Sequence, residues 1–155
     1  MQNHHISQET MNAILDAIKH RFPEAYPFFL VQAELGLRPS EALALTTDDF
    51  FGTAVTVNTA WSGKGLVPLK SNPRVESAPT TVADVLTQHI GTIIRSHPGT
   101  QHPLFLFTNR QTGKPFRPAY VMRMWRLALA DLNLSPISLL ALRMSALTER
   151  ALPPR

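Results

Sequence analysis

The chain has 155 residues, which is about one domain, and 44% of them are hydrophobic. Its 15 lysines and arginines exceed its 11 acidic residues, and the formal net charge of +4 permits a polyanionic partner without identifying one. Cysteine is absent, which excludes a disulfide framework, a thiolate zinc site and a cysteine nucleophile. No apolar run approaches the ~18 residues of a membrane span, and the N-terminus lacks the order of a secretory signal. We therefore expect a soluble, cytoplasmic, single-domain protein.

The first third of the sequence predicts three helices. Ser7 is a candidate N-cap for the first, Pro23 ends it, and its apolar residues follow one helical face: Met11, Ile14, Leu15, Ile18 and Phe22. A second, more uniformly apolar segment covers 27–35 and stops at Gly36. Pro39 opens a short third helix over 39–45.

The pattern changes from helical to extended after residue 49. Residues 53–57 alternate and are β-branched, which predicts a strand, and further strands are predicted over 67–70 and 74–78. Turns at 62–65 and 71–73 separate the three strands. The sequence therefore predicts a small antiparallel sheet of three strands, which is too small to be a fold by itself.

Helical spacing then returns for the rest of the chain. Helices are predicted from Thr80 or Thr81 to residue 97, from Pro118 to about residue 132, and over 139–147 after a Ser138 cap. A short apolar run at 104–107 precedes the second of these. The expected fold class is α+β and mostly helical, with helices around one core and the small sheet inserted between them.

The first candidate for chemistry is Arg38, which stands between a glycine that stops one helix and a proline that starts the next. Free backbone amides and a guanidinium at such a place can bind the same anion. Glu41, one turn further on, could orient the arginine. The alternative is a solvated surface pair between the two side chains, which would contribute little.

Two further basic residues are candidates for binding an anion or for acid catalysis. Lys70 lies beside a turn with Arg74 just after it, where its ammonium could reach a phosphate or donate a proton to a leaving oxygen. Arg143 interrupts an almost wholly apolar helix, where a cation needs a partner or an anionic ligand. The alternatives are a solubilising charge on a hairpin for Lys70 and an arginine that extends to solvent at the helix edge for Arg143.

Taken together, these segments resemble the catalytic domain of the tyrosine recombinases, the phage integrase family. Gly-Leu-Arg-Pro-Ser-Glu-Ala-Leu-Ala-Leu at 36–45 resembles the family's first arginine box, and 48–79 resembles its three-stranded sheet. Residues 104–134 resemble the strand, turn and helix that follow, and 137–145 resemble the second arginine box. The resemblance covers nearly the whole chain, from about residue 6 to residue 147.

The resemblance implies DNA breakage and rejoining without a cofactor. In the family, two arginines and a histidine bind the scissile phosphate, which implies Arg38 and Arg143 as clamp residues, with Glu41 in a supporting role. A lysine is the general acid, which implies Lys70, and Lys64 and Arg74 would be further DNA contacts. A tyrosine forms the covalent intermediate. The implied partners are double-stranded DNA and other recombinase subunits, in the setting of a mobile element.

This sequence departs from the family pattern in its second box. The histidine position three residues before the arginine is Leu140, and the position after the arginine, usually histidine, is Met144. The family's next His/Trp position, its nucleophilic tyrosine and its N-terminal DNA-clamping domain are also expected to be missing. Only Tyr26 and Tyr120 are present, and both are interpreted as packing or interfacial residues. We therefore expect a truncated, degenerate catalytic domain that does not cleave DNA alone.

Two other interpretations stay open. The chain could be a non-catalytic DNA-binding or regulatory module that competes with or complements a full-length recombinase, or a vestigial fold without a nucleic-acid partner. No metal site is predicted, because the histidines lack ligand spacing and acidic companions: His4, His5, His20, His89, His97 and His102.

Overall fold

The structure, a computed structural model, describes residues 6–100 and 103–151. The chain divides into two compact units, one formed by residues up to Arg38 and from Arg117 onward, the other by Pro39–Phe116. None of the described helices is both long and apolar enough to cross a membrane.

Within residues 6–38 and 117–151, the first unit contains four helices: α1 (Gln8–Arg21), α2 (Tyr26–Leu35), α5 (Pro118–Asp131) and α6 (Leu140–Ala151). The predicted N-cap is confirmed, since the Ser7 hydroxyl accepts a hydrogen bond from the Thr10 amide at 3.0 Å. Helix α2 packs against both α1 and α6, which explains why its sequence is apolar all round instead of on one face. Gly36 ends α2 in the left-handed conformation, with φ of 69°.

The core of this unit is centred on Trp125 of α5. Its ring is fully buried and stacks on Phe29, with ring centroids 6.3 Å apart. Its indole Nε1 donates a hydrogen bond of 2.6 Å to the carbonyl oxygen of Ile137, in the segment that leads into α6. The indole thereby fixes the chain just before the helix that carries Arg143.

The second unit contains α3 (Pro39–Leu43), a 3₁₀ turn (Thr47–Asp49), four short strands and α4 (Thr80–Ser96). The strands are β1 (Ala54–Val57), β2 (Thr59–Trp61), β3 (Leu66–Pro68) and β4 (Arg74–Ser77). The segment after α4 pairs with the one that follows α3, since the Leu106 amide donates to the Leu45 carbonyl at 3.0 Å. Buried side chains from these elements form the core of the unit: Val55, Val57, Val82, Leu86, Phe107 and Phe116.

The sheet differs from the predicted three strands. The structure has an additional strand, β2, and arranges the four as two antiparallel pairs, β1 with β4 and β2 with β3. Only Asn58 separates β1 from β2, so the two behave as one long strand whose partner changes part-way along. The sequence prediction missed β2, which pairs with β3 across the turn 62–65, because its three residues are too few to show an alternating pattern.

Candidate functional site

Arg38 lies in the short link between α2 and α3. Gly36 turns the chain out of α2, and its amide donates to the Gln32 carbonyl at 3.0 Å. The next side chain, Leu37, is fully buried, whereas Arg38 is exposed. The buried leucine anchors the link, and the arginine that follows it lies at the surface.

Arg143 is half-buried on α6 and directly follows two fully buried residues, Ala141 and Leu142. Its Nε donates a hydrogen bond of 3.1 Å to the carbonyl oxygen of Gly36, at the C-terminal end of α2. The bond joins residues 107 positions apart and brings the second arginine box against the first. Arg143 therefore has a fixed partner within the protein, which favours a positioned cation over a side chain that simply extends to water.

The two positions beside Arg143 that the family fills with histidine carry exposed apolar side chains. Leu140 is 41% exposed and Met144 is 37% exposed, one helical turn apart on α6. Leucine can neither donate a hydrogen bond nor transfer a proton, so the side chain of Leu140 does not provide what a histidine would at this position.

Strands β1 and β2 pair with β4 and β3 to form one long hairpin. Lys64 and Lys70 are both exposed on this hairpin, but at different places. Lys64 lies in the turn between β2 and β3, where the Ser62 hydroxyl accepts hydrogen bonds from the amides of Lys64 and Gly65. Lys70, predicted as the last residue of a strand, instead lies in a loop, because β3 ends at Pro68. Both ammonium groups can therefore reach a ligand from solvent.

The loop that carries Lys70 is a large bulge in the hairpin. Thr59 pairs with Pro68 and Val57 pairs with Arg74, so the single residue Asn58 faces the five residues 69–73. Pro68 and Arg74, which flank the loop, pair with Thr59 and Val57. These two partners are two residues apart on the opposite strand, which is a distance of about 7 Å along it. A loop of this kind projects from the strand at a defined point.

Arg74 is held by two carboxylates. Its Nη1 and Nη2 donate to the two carboxylate oxygens of Glu41, each at 2.9 Å, and its Nε donates to Glu76 at 2.9 Å. The Glu41 side chain is only 4% exposed. These hydrogen bonds, above all those to Glu41, raise the pKa of Arg74 far above its usual value, against the opposing effect of burial. The sequence analysis did not identify this contact, which joins residues 33 positions apart, and the proposed orientation of Arg38 by Glu41 stays a prediction.

Sequence reasoning passed over a group of cations on α5 and its N-terminal flank. Arg117, Arg123 and Arg126 are all exposed in the first unit. The signal was present in the charge pattern, because between Asp84 and Asp131 the sequence contains no acidic residue and six basic ones: Arg95, Arg110, Lys114, Arg117, Arg123 and Arg126. A stretch of this kind is typical of a surface that meets a polyanion.

Among residues 6–100 and 103–151 there is no group of three side chains that could hold a metal ion. His89 uses its ring nitrogen on the Leu106 carbonyl and stacks on Phe107, and His97 uses Nδ1 on the Ile93 carbonyl. His4, His5 and His102 lie outside the described residues.

No protein-family model matches the sequence, and no curated protein is similar to it. The structure, however, is similar to solved recombinases. The Tn1549 transposon integrase, solved in complex with circular intermediate DNA, superposes with a TM-score of 0.77 at 18% identity, over 96% of this chain and 55% of that one. XerA recombinase gives 0.75 at 17% identity, over 96% and 51%. The catalytic domain of bacteriophage HP1 integrase gives 0.58 at 17% identity, over 94% and 70%.

These similarities identify the fold as that of the tyrosine recombinase catalytic domain, as the sequence resemblance implied. The chain spans about half the length of the integrase and XerA structures that it matches.

Proposed function

We propose that this chain is a recombinase-like domain that binds the backbone of double-stranded DNA, with Arg38 and Arg143 as phosphate contacts. The observation that carries the proposal is the hydrogen bond from Arg143 to the Gly36 carbonyl, which brings the two arginine boxes together in the first unit. A guanidinium held in place along one edge loses little side-chain freedom when it binds a phosphate, and its planar fork matches phosphate oxygens.

The second unit contributes Lys64 and Lys70 in this proposal. Both are exposed lysines on the hairpin, one in its terminal turn and one in the bulge. An ammonium on a flexible stem serves as a point charge for a phosphate and, at Lys70, as the proton donor that the family resemblance implies. Other recombinase subunits are the proposed protein partners, and no cofactor is involved.

We further propose that the 155-residue chain does not cleave DNA by itself. Leu140 removes one donor of the clamp, and loss of one such donor typically costs ~10²–10³ in rate. Burial, with smaller effects from nearby acidic groups, raises the pKa of Tyr26 and of Tyr120, which disfavours the phenolate that a nucleophile needs. The Tyr26 ring also lies beneath the Lys19 ammonium, 5.3 Å from the ring centroid.

A DNA duplex nicked near the scissile position traps a covalent intermediate and tests the absence of cleavage. We expect no protein–DNA adduct on a denaturing gel. An adduct would contradict this part of the proposal, and replacement of Tyr26 or Tyr120 by Phe would then identify the nucleophile.

Binding itself is tested by fluorescence anisotropy of labelled duplex DNA over a range of salt concentrations. Each phosphate contact adds about 0.9 to the slope of log K against log salt, so Arg38→Gln and Arg143→Gln should each lower the slope by about one. Arg21→Gln is the matched control, because it removes the same charge from an exposed ion pair with Asp131. Absence of binding at low salt would contradict the proposal and leave a vestigial fold.

The exposed apolar pair Leu140 and Met144 favours a second candidate function, a non-catalytic module that competes with an active recombinase or complements it. The test is to add the chain to an intact recombinase acting on a DNA site that both bind. Inhibition of recombination would support competition, stimulation would support complementation, and no effect at saturating DNA occupancy would contradict both.

A further inference from the structure

We propose that Arg74 is a positioning residue, not a DNA contact, and that it holds the loop of Lys70 in place by joining it to α3. The inference rests on the proposed function, since Lys70 is the residue whose placement matters there. Its basis is the pair of carboxylates around Arg74 and the place of this residue at the end of the bulge, as β4 begins.

The charges around Arg74 argue against a phosphate contact. Each of the three guanidinium nitrogens donates to a carboxylate oxygen at 2.9 Å. The guanidinium of Arg74 lies between two carboxylates, Glu41 and Glu76, and their negative charges oppose the approach of a phosphate. These contacts use three of the five N–H donors of the guanidinium, so a phosphate that engaged Arg74 would have to approach beside both carboxylates.

The same contacts give Arg74 a structural effect at a distance. Glu41 belongs to α3, three residues after Arg38, while Arg74 follows directly on loop 69–73. The two-pronged contact therefore ties the end of the loop to α3, whereas the other end is fixed by the pairing of Pro68 with Thr59. A planar fork on a carboxylate defines direction as well as distance.

The loop itself depends on these two ends. Lys70, Ser71 and Asn72 are exposed, and within the described part of the chain their side chains make no hydrogen bond or ion pair. With both ends fixed, a five-residue loop samples few conformations, and the lysine stays within a small volume. Release of the Arg74 end would widen that volume without changing Lys70.

The test uses the full chain, which contains no cysteine, so a single introduced cysteine can be labelled uniquely. A nitroxide spin label at Ser71→Cys reports the motion of the loop, and a label at Gln88→Cys, on the exposed face of α4, is the control. We expect Arg74→Met and Glu41→Gln each to narrow the spectral lines at position 71 and to leave those at position 88 unchanged. Circular dichroism verifies folding, and Glu41→Gln, which keeps the side-chain shape, serves if Arg74→Met does not fold.

A double-substitution cycle on DNA affinity supplies the second measurement. Lys70→Ala should lower the salt slope by about one in the unmodified chain and have a much smaller effect on affinity in the Arg74→Met background. Unchanged line shapes at position 71 would overturn the inference, as would additive slope losses for Lys70→Ala and Arg74→Met. If the unmodified chain binds no DNA, the proposed function fails, and the spectra alone decide whether Arg74 orders the loop.

Discussion

Replacement of Trp125 by phenylalanine should destabilise the first unit and loosen the segment that leads into α6. The indole is fully buried, stacks on Phe29 and donates the 2.6 Å hydrogen bond to the Ile137 carbonyl. Phenylalanine keeps one ring but removes the donor and leaves a gap beside α2. The change thus combines a lost hydrogen bond with a partial cavity.

The two effects can be added from their usual sizes. Loss of the hydrogen bond costs about 1 kcal/mol, and the smaller ring costs ~1–2 kcal/mol in contacts and cavity, below the ~3–5 kcal/mol of a complete truncation. The free energy of unfolding should therefore fall by about 2–3 kcal/mol. With a urea m-value of ~1–3 kcal/mol/M, the midpoint should fall by about 1 M or more.

Urea unfolding followed by far-UV circular dichroism measures this change. Trp61→Phe is the matched control, because Trp61 is half-buried in β2 and contacts Phe105 edge-on. Its expected cost is about 1 kcal/mol or less. The chain has only two tryptophans, so each variant keeps one fluorescent reporter. Equal costs for the two variants would refute the argument that the hydrogen bond of Trp125 fixes this segment.

Two further predictions concern pH and surface charge. Burial lowers the pKa of His89 below its ordinary value of 6.5, outweighing the hydrogen bond to the Leu106 carbonyl. As the pH falls, the unfolded chain takes up this proton before the folded chain does. The free energy of unfolding should therefore be greatest above about pH 6.5 and decrease below it. His89→Gln should make the urea midpoint less dependent on pH between about pH 7.5 and pH 5.5. The Arg21–Asp131 pair is 2.7 Å long with both side chains 41% exposed, so Arg21→Ala should change the free energy of unfolding by less than ~0.5 kcal/mol, and a larger loss would contradict this estimate.

Helices were predictable from the sequence because their signals are local. The N-cap at Ser7, the stop at Gly36 and the start at Pro118 are all confirmed, and the uniformly apolar second segment became the buried helix α2. Each of these features depends on residues within a few positions of one another.

The sheet was predictable only in part. Turns at 62–65 and 71–73 were both identified from their composition, but composition does not distinguish the simple hairpin turn at 62–65 from the bulge at 69–73. That distinction depends on which residues pair across the ladder, and β-strand pairing is a property of two segments together. Lys70, predicted at the end of a strand, therefore lies in a projecting loop instead.

Glu41 shows why the candidate site could not be completed from spacing. The nearest cation in sequence was Arg38, three residues away, and the local rule for helices pairs such neighbours. A carboxylate that is 4% exposed, however, carries a large desolvation cost, and the fold offsets it with a partner that supplies two hydrogen bonds at once. Arg74 satisfies that demand because the register of β1 with β4 brings it beside α3, and no local pattern encodes that register. This contact across the fold makes Glu41 and Arg74 a pair whose loss should increase the mobility of the loop that carries Lys70.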